Sequence, residues 1–503
     1  MRRTHSWYWL ALLLALLVVA GCAAPAAAPG EASVPEAAPV ASGEALTLRL
    51  ATVSEPSTLD PNLAEDYYSI TPIEQMFLGL TNINNETAAI EPELAESWTI
   101  SEDGTVWTFN LRQDVKWSDG NPVTANDIVY SVKRAVMPET ASPYAYVLYS
   151  IKNAAAINQT VIPTDTYDIE SLGVKALDDY TVEFTLESPA AYFAADDVQI
   201  DRVELSIITD QFTEVALYES GELDVAGEGA ASLPSEEVAR ILADPTLSAE
   251  FHQGPRASTT YVGFTMTKPP FDNVLVRKAF SAAIDRETMV RDVVGSGVPA
   301  TQFAPPGIFG APDPEVGIGY DPEQAKAWLE EAGYPDGAGF PTVTYRYFAN
   351  SLEEALAQAL QAMWKETLNV DVQIEAQEFP VFLAGTAATV PVEEMPEMWR
   401  LGWGADYPDE NNWVYEVFHC TDSQNRPRAA CTEADEKAKQ AGIETDPEVR
   451  KALYAEVEQL MFGEEVRVAP YYHRGFTILT KPNVQRAYPT FAPVNWDTWR
   501  IEQ

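Results

Sequence analysis

The chain has 503 residues, enough for two to four lobes, and 46% of them are hydrophobic, with 12 tryptophans to build ordinary cores. Its 32 Lys and Arg stand against 76 Asp and Glu, a formal charge of −44. Such a surface repels phosphate backbones, which excludes nucleic acid as a partner, and the acids are spread too evenly to mark a site by themselves.

Arg2 and Arg3 precede an apolar run from Trp9 to Ala20 that ends in Gly21 and Cys22. A positive start, an apolar stretch too short to span comfortably and small residues before a cysteine resemble a bacterial lipoprotein signal over 1–21. Cys22 is then the lipid-bearing first residue of the mature chain; an ordinary secretory peptide with an incidental cysteine is the alternative. Acyl chains there anchor a protein through about 0.8 kcal/mol per buried methylene. Residues 22–43 are Ala/Pro-rich and nearly devoid of bulky apolar side chains, which predicts a tether. No later stretch approaches 18 apolar residues, so the remainder is expected to be soluble and outside the cytoplasm.

From Leu46 the pattern changes. LTLRLATV alternates as a half-buried strand does, and Trp98, Trp107, Phe109, Leu111 and Trp117 follow in a strand-rich stretch with a tight turn at Asp103-Gly104. Thr124-Ala-Asn-Asp127 predicts a helix start, with Ile128, Val129, Val132 and Val136 on one face. Further helices are predicted near 274–294, 322–332, 351–367 and 446–462, and strands near 342–348, 370–377 and 466–472. Mixed α/β lobes without internal repeats follow.

The chain carries no G-x-S-x-G, no H-E-x-x-H and no phosphate-cradling glycine loop. Acids are so abundant that a glycosidase-like carboxylate pair carries no information. Of three cysteines, Cys22 is accounted for, and Cys420 and Cys431 enclose a short polar loop that fits a disulfide in an oxidising compartment. A zinc site from these thiols with His419 and His473 is the alternative. The oxygen-rich run Asp406, Asp409, Glu410 and Asn411 lacks EF-hand spacing, so no metal and no cofactor are expected.

Several segments in order carry a resemblance. They are EPSTLDP from Glu55, EQMFLGL from Glu74, EPELAESW from Glu91, LRQDVKWSDGNPVTANDIVYSVKRAV from Leu111 and PETASPYAYVLY from Pro138. KPPFDNVLVRKAF from Lys268 and GWGADYPD from Gly402 complete the set. Together they resemble the solute-binding lipoproteins of peptide ABC transporters, the oligopeptide- and dipeptide-binding proteins of extracellular solute-binding protein family 5. The resemblance spans nearly everything from Leu46 on. It implies an α/β fold: a three-lobed periplasmic-binding-protein-like clamp with mixed sheets, two large lobes with a hinge plus a smaller lobe. The solute-binding domain is expected over 44–503, with lobe I over about 44–80, 170–258 and 478–503, the small lobe over about 81–169 and lobe III over about 259–477.

What the resemblance implies for function is a lipid-anchored monomeric receptor that closes on an oligopeptide and delivers it to an ABC permease. A binder of oligosaccharides or another small solute is the alternative, and an extracellular hydrolase the more distant one. Asp406 falls where family members hold the ligand ammonium, Arg400 where a ligand carboxylate is received, and Trp403 where a side-chain pocket is lined. Tyr407 and Tyr68 are further candidates. Residues 259–265 (TTYVGFT), with Tyr261 and Gly263, resemble a strand whose backbone pairs with ligand. One departure stands out: about sixty residues of the family pattern are absent between Ala195 and Asp196. That means either a repacked short variant or a lost segment, and it exposes backbone edges of the first lobe.

Overall fold

Two long strands, Phe251–Phe264 and Val468–Thr480, lie antiparallel at the centre of the main sheet. The structure is a computed structural model that describes residues 47–83, 90–162, 164–188, 202–228, 232–488 and 499–501. The signal over 1–21, Cys22, the tether and the join at 195–196 lie outside the described residues. Among the described residues no helix is long and apolar enough to cross a membrane.

The seven-stranded sheet runs in the order Val298–Pro299, Val468–Thr480, Phe251–Phe264, Met398–Gly404, Val343–Phe348, Val372–Gln377, with Val225–Ala226 paired to the far end of Val468–Thr480. Pairing of the two long strands is interrupted between Pro255 and Thr259. On one side of that break the ladder packs with Leu48, Leu50 and Val484 of the first lobe; on the other it packs with the helices of the third. Both strands thus pack with a different core on each side of the break. The third lobe takes its core from Val276, Phe280, Leu356, Leu360 and Trp364 against Val343, Tyr345 and Met398. Trp364 Nε1 donates to Phe280 O at 3.0 Å and ties the helix Ser351–Leu368 to Val274–Ala282.

The long helix expected over 274–294 is broken. Asp285 accepts from Thr288 N and starts a new turn, while the buried Arg286 guanidinium donates to the carbonyls of Ser281, Ile284, Ala300 and Pro470. Those bonds need the chain to turn at 283–285. Elsewhere the expected helix over Ala125–Val136 is present, with Thr124 and Asp127 forming a capping box.

The small lobe is built on a four-stranded antiparallel sheet in the order Ala95–Ile100, Val106–Leu111, Thr181–Thr185, Val174–Asp178. It therefore continues through residues 174–185, which corrects the expected boundary at 169. Phe109, Val182 and Phe184 alternate inward and share one core with Trp107 and Ile151, so strands 174–185 cannot be parted from 95–111. In the first lobe, Thr47–Thr52 pairs in parallel with Arg202–Ile207 as a two-stranded sheet.

Cys420 and Cys431 are bonded, closing the loop between the helices Asn411–Phe418 and Glu433–Ile443. His419, Cys420 and Asp435 lie together, but the thiol is spent in the disulfide and Asp435 pairs with the buried Arg467 at 2.8 Å. The expected zinc alternative has no free sulfur. Replacing both cysteines by serine is expected to lower stability by about 3 kcal/mol, from the loop entropy returned to the unfolded chain. Chemical denaturation of the double variant against the parent checks it.

Candidate ligand-binding cleft

A cavity of about 340 Å³ opens between the lobes. Tyr67, Tyr68 and Ile70 come from the helix Tyr67–Glu74, Tyr144 from the small lobe, Phe348 and Phe379 from the third lobe, and 400–406 form a continuous wall.

That wall is the outer edge of a strand. Met398–Gly404 pairs along its length with Ser258–Phe264, but Val343–Phe348 reaches only Met398 and Trp399 on the other side. Among the described residues, no strand pairs with 400–404 on that edge. Gly402 and Gly404 alternate with Leu401 and Trp403 there, and a Cβ on Gly404 would meet nothing within 4 Å. Glycines leave the backbone open to close approach by another chain.

The expected pairing of ligand with 259–265 is corrected by the same ladder. Thr259–Gly263 has Met398–Gly404 on one side and Val468–His473 on the other, so both edges are filled. Tyr261 is buried against Phe303, Trp399 and Phe418, and Gly263 backs onto the Trp399 indole. Gly263 does not line the cleft, while Tyr261 lines a small pocket beside it that shares Leu401, Trp403, Gln424 and Arg426 with the main cavity. A strand's open edge is set by its neighbours and not by its own residues, so the filled edges of 259–263 are not visible in TTYVGFT itself.

Asp406 stands at the end of the wall, open to the cavity. Its Oδ2 accepts from Tyr144 OH at 2.6 Å and from Asn412 Nδ2 at 2.8 Å. Burial in the cleft raises its pKa, and those two bonds oppose the rise. No lysine or arginine pairs with it among the described residues. Tyr144 and Asn412 were not singled out from the sequence; the PYAYVLY run offered a signal for Tyr144, but its contact with Asp406 spans 262 residues of sequence.

Arg400 also lines the cavity but arrives with a partner, Glu353 at 2.5 Å, and stacks on Phe348 at 4.8 Å. Burial works against its charge, and Glu353 with the surrounding tyrosines more than restores it, so its pKa is raised. Its Nε has no hydrogen-bond partner. Trp403 lines the cleft and donates from Nε1 to Asn412 Oδ1 at 3.1 Å. Tyr68 lines it edge-on to Phe379 at 4.8 Å. Tyr407 turns away from the cavity and donates to Glu416 at 2.8 Å. The disulfide loop also reaches the cleft: Arg426 and Gln424 donate to Glu65 at 2.8 and 2.7 Å, joining the third lobe to the first. The oxygen-rich run does not converge, since Asp409 pairs with Arg450 and Glu410 is buried against Glu458.

A hinged, multi-lobed α/β fold that walls a cleft with an open strand edge and a carboxylate lacking a cation defines a solute-binding clamp. The chain belongs to the bacterial extracellular solute-binding proteins, family 5, whose middle-region model matches residues 89–196 and 191–425. The oligopeptide-binding protein OppA of Bacillus subtilis is 30% identical over 85% of this chain and 87% of its own. That alignment runs over 493 positions although it covers only 85% of 503 residues, so the relative has residues without counterparts here. Haemophilus influenzae OppA in complex with the peptide RPPGFSPFR superposes with a TM-score of 0.80 at 25% identity, covering 92% of this chain and 100% of the other. The Escherichia coli murein tripeptide binding protein MppA gives 0.80 at 26% identity over 92% and 99% of the two chains. The unliganded open form of MppA gives 0.60 at 27% identity over 91% and 98%, so the lobes here are not arranged as in that open form.

Two predictions follow from the site and its supports. An alanine at Gly263 would place a Cβ within 2.4 Å of the Trp399 ring, so Gly263→Ala should cost about 1–3 kcal/mol in thermal unfolding. The second concerns pH. Burial pushes Glu214 up to about 7 and Glu416 up to about 8, and raises the Glu410–Glu458 pair. These groups keep protons that the unfolded chain has lost, so stability falls as pH rises from about 6.5 to 8.5, by on the order of 1 kcal/mol per carboxyl. Burial pushes His473 down to about 3, which opposes this only below the unfolded histidine pKa of about 6.5. A melting temperature that rises over that interval would contradict the assignment.

Proposed function

We propose that the protein is an extracytoplasmic receptor that binds oligopeptides in this cleft and delivers them to an ABC import permease. The observation that carries the reading is Asp406: a carboxylate in the cleft held only by neutral donors, beside an unpaired strand edge at 400–404. A peptide's ammonium supplies the missing cation, and its backbone supplies the missing strand. Relatives named as oligopeptide-binding proteins support the same substrate class. Arg400 contributes its unfilled donors toward the far end of the ligand, with less net charge than its position alone implies, because Glu353 already balances it. Tyr68 and Trp403 shape pockets that water lets vary in content. Lipid attachment at Cys22, a monomeric state and the absence of catalysis are parts of this reading. The family match falls into two stretches that overlap at 191–196, which agrees with a segment missing there in either a repacked short variant or a sequence that has lost it.

Thermal unfolding with and without an equimolar mixture of tri- to pentapeptides tests the reading. At about 100 times the dissociation constant, the ligand should stabilise the native state by about 2.7 kcal/mol. The same mixture with acetylated N-termini, or the variant Asp406→Asn, should abolish most of that shift. A shift untouched by either change would remove Asp406 from recognition. No shift with peptides, but one with oligosaccharides, would reassign the cargo.

A further inference from the structure

Behind Asp406 lies a second carboxyl that recognition of a peptide end does not by itself require. Glu416 is one turn along the helix Asn411–Phe418 from Asn412, is only 7% exposed and does not line the cavity. Its Oε2 accepts from Asn412 Nδ2 at 2.8 Å, and that amide nitrogen also donates to Asp406 Oδ2 at 2.8 Å. The amide cannot turn over, because its Oδ1 accepts from Asp406 N at 3.0 Å and Trp403 Nε1 at 3.1 Å. One fixed NH₂ group therefore bridges two carboxyls. Glu416 Oε1 lies 2.8 Å from Tyr407 OH and accepts from it when ionised; when protonated, Glu416 donates its O–H to that oxygen instead, which also accepts from Asn411 Nδ2.

The groups facing Glu416 are all acidic or neutral at ordinary pH: Asp406 and Asp409 from the loop, Tyr407, and Tyr144 and Tyr146 from the small lobe. Asp409 itself pairs with Arg450. Among the described residues no cation pairs with Glu416. Two ionised carboxylates sharing one amide in a poorly solvated wall repel each other, so one of them holds a proton until a cation arrives. Glu416 is the more buried of the two, and burial together with the Asp406 charge raises it to about 8.

We propose that Glu416 is a positioning residue of the ammonium site, protonated while the cleft is empty and ionised, with its proton released to solvent, when a peptide ammonium docks on Asp406. The proposal rests on the reading of Asp406 given above. It makes the site sensitive to ligand charge: a cation is held by two negative charges, while an empty or neutral-filled cleft buries only one.

The test is proton counting. At about pH 6.5 the peptide amine is already charged, since its pKa lies near 7.7–8.0, and no histidine lines the cavity. Saturating the protein with the tri- to pentapeptide mixture in weakly buffered indicator solution should therefore release protons, approaching one per site. In Glu416→Gln, peptides should still bind and the release should fall to the residue contributed by Asp406. Affinity of the parent should rise up to about tenfold between about pH 6 and pH 7, and that of Glu416→Gln should stay nearly flat. No proton release by the parent, or an identical release and pH slope in the variant, overturns the role of Glu416. The parent measurement decides this even where the variant fails to fold. Failure of the parent to bind any peptide would instead sink the peptide reading itself, and this inference with it.

Discussion

The hydrogen-bond ladder between Phe251–Phe264 and Val468–Thr480 decides where this protein can hold a ligand. Every backbone N–H and C=O in a sheet needs a partner, and Thr259–Gly263 finds one on each side. The neighbouring strand Met398–Gly404 keeps an unpaired edge over part of its length. That edge opens beyond Trp399, where Val343–Phe348 parts from it while staying paired with Val372–Gln377 through Phe348. The wall of the cleft at 400–404 is thus a consequence of two strands diverging after Arg346 and Trp399. The same ladder is interrupted between Pro255 and Thr259, where the two strands pass between lobes. The strand that carries the wall and the pair that passes between lobes are therefore neighbours in one sheet.

Charge is arranged around that wall by pairing. Arg400 faces Glu353, Arg426 faces Glu65 and Arg256 faces Glu228, so cations at the cleft come with carboxylates beside them. In a chain of net charge −44 this is expected, because acids are plentiful wherever an arginine is buried. The informative departure is an acid placed at the surface of the cavity with only a phenol and an amide for company. Asp66 is another cavity carboxylate held by neutral donors, Ser57 and Ser69, but it is buried, whereas Asp406 is open to the cavity.

Local pattern in the sequence was enough for the elements whose causes are local. The capping box at Thr124 and Asp127, the alternation through Trp107 and Phe109, and the helix Ser351–Leu368 all follow from residues a few positions apart. The break at 283–285 was not legible, because it answers to carbonyls at Ala300 and Pro470. The extent of the small lobe was misjudged for the same reason: strands 174–185 look like any half-buried pair until Phe184 meets Phe109. Asp406, Trp403 and Arg400, singled out from a short motif and its resemblance, and Tyr68 all line the cavity. Glu353, Tyr144 and Glu416 were not singled out, since what matters about each is a contact across the fold.

Several buried acids in this chain meet the cost of burial by keeping a proton, and the contacts around them separate structural cases from one that ligand can address. Glu214 accepts from Gly227 N, and Glu458 from the amides of Phe303 and Ala304; these carboxyls replace backbone partners inside packed cores. Nothing that enters the cleft touches them, so their protonation is a property of folding alone. Glu416 is held by side chains instead, and one of them, Asn412, also holds Asp406. A positive charge arriving at Asp406 is therefore felt one amide away, through a wall too poorly solvated to screen it. Any cation that binds there must shift the proton equilibrium of the second carboxyl, because the same electrostatics that makes Asp406 attractive to an ammonium makes an ionised Glu416 tolerable only once that ammonium is present.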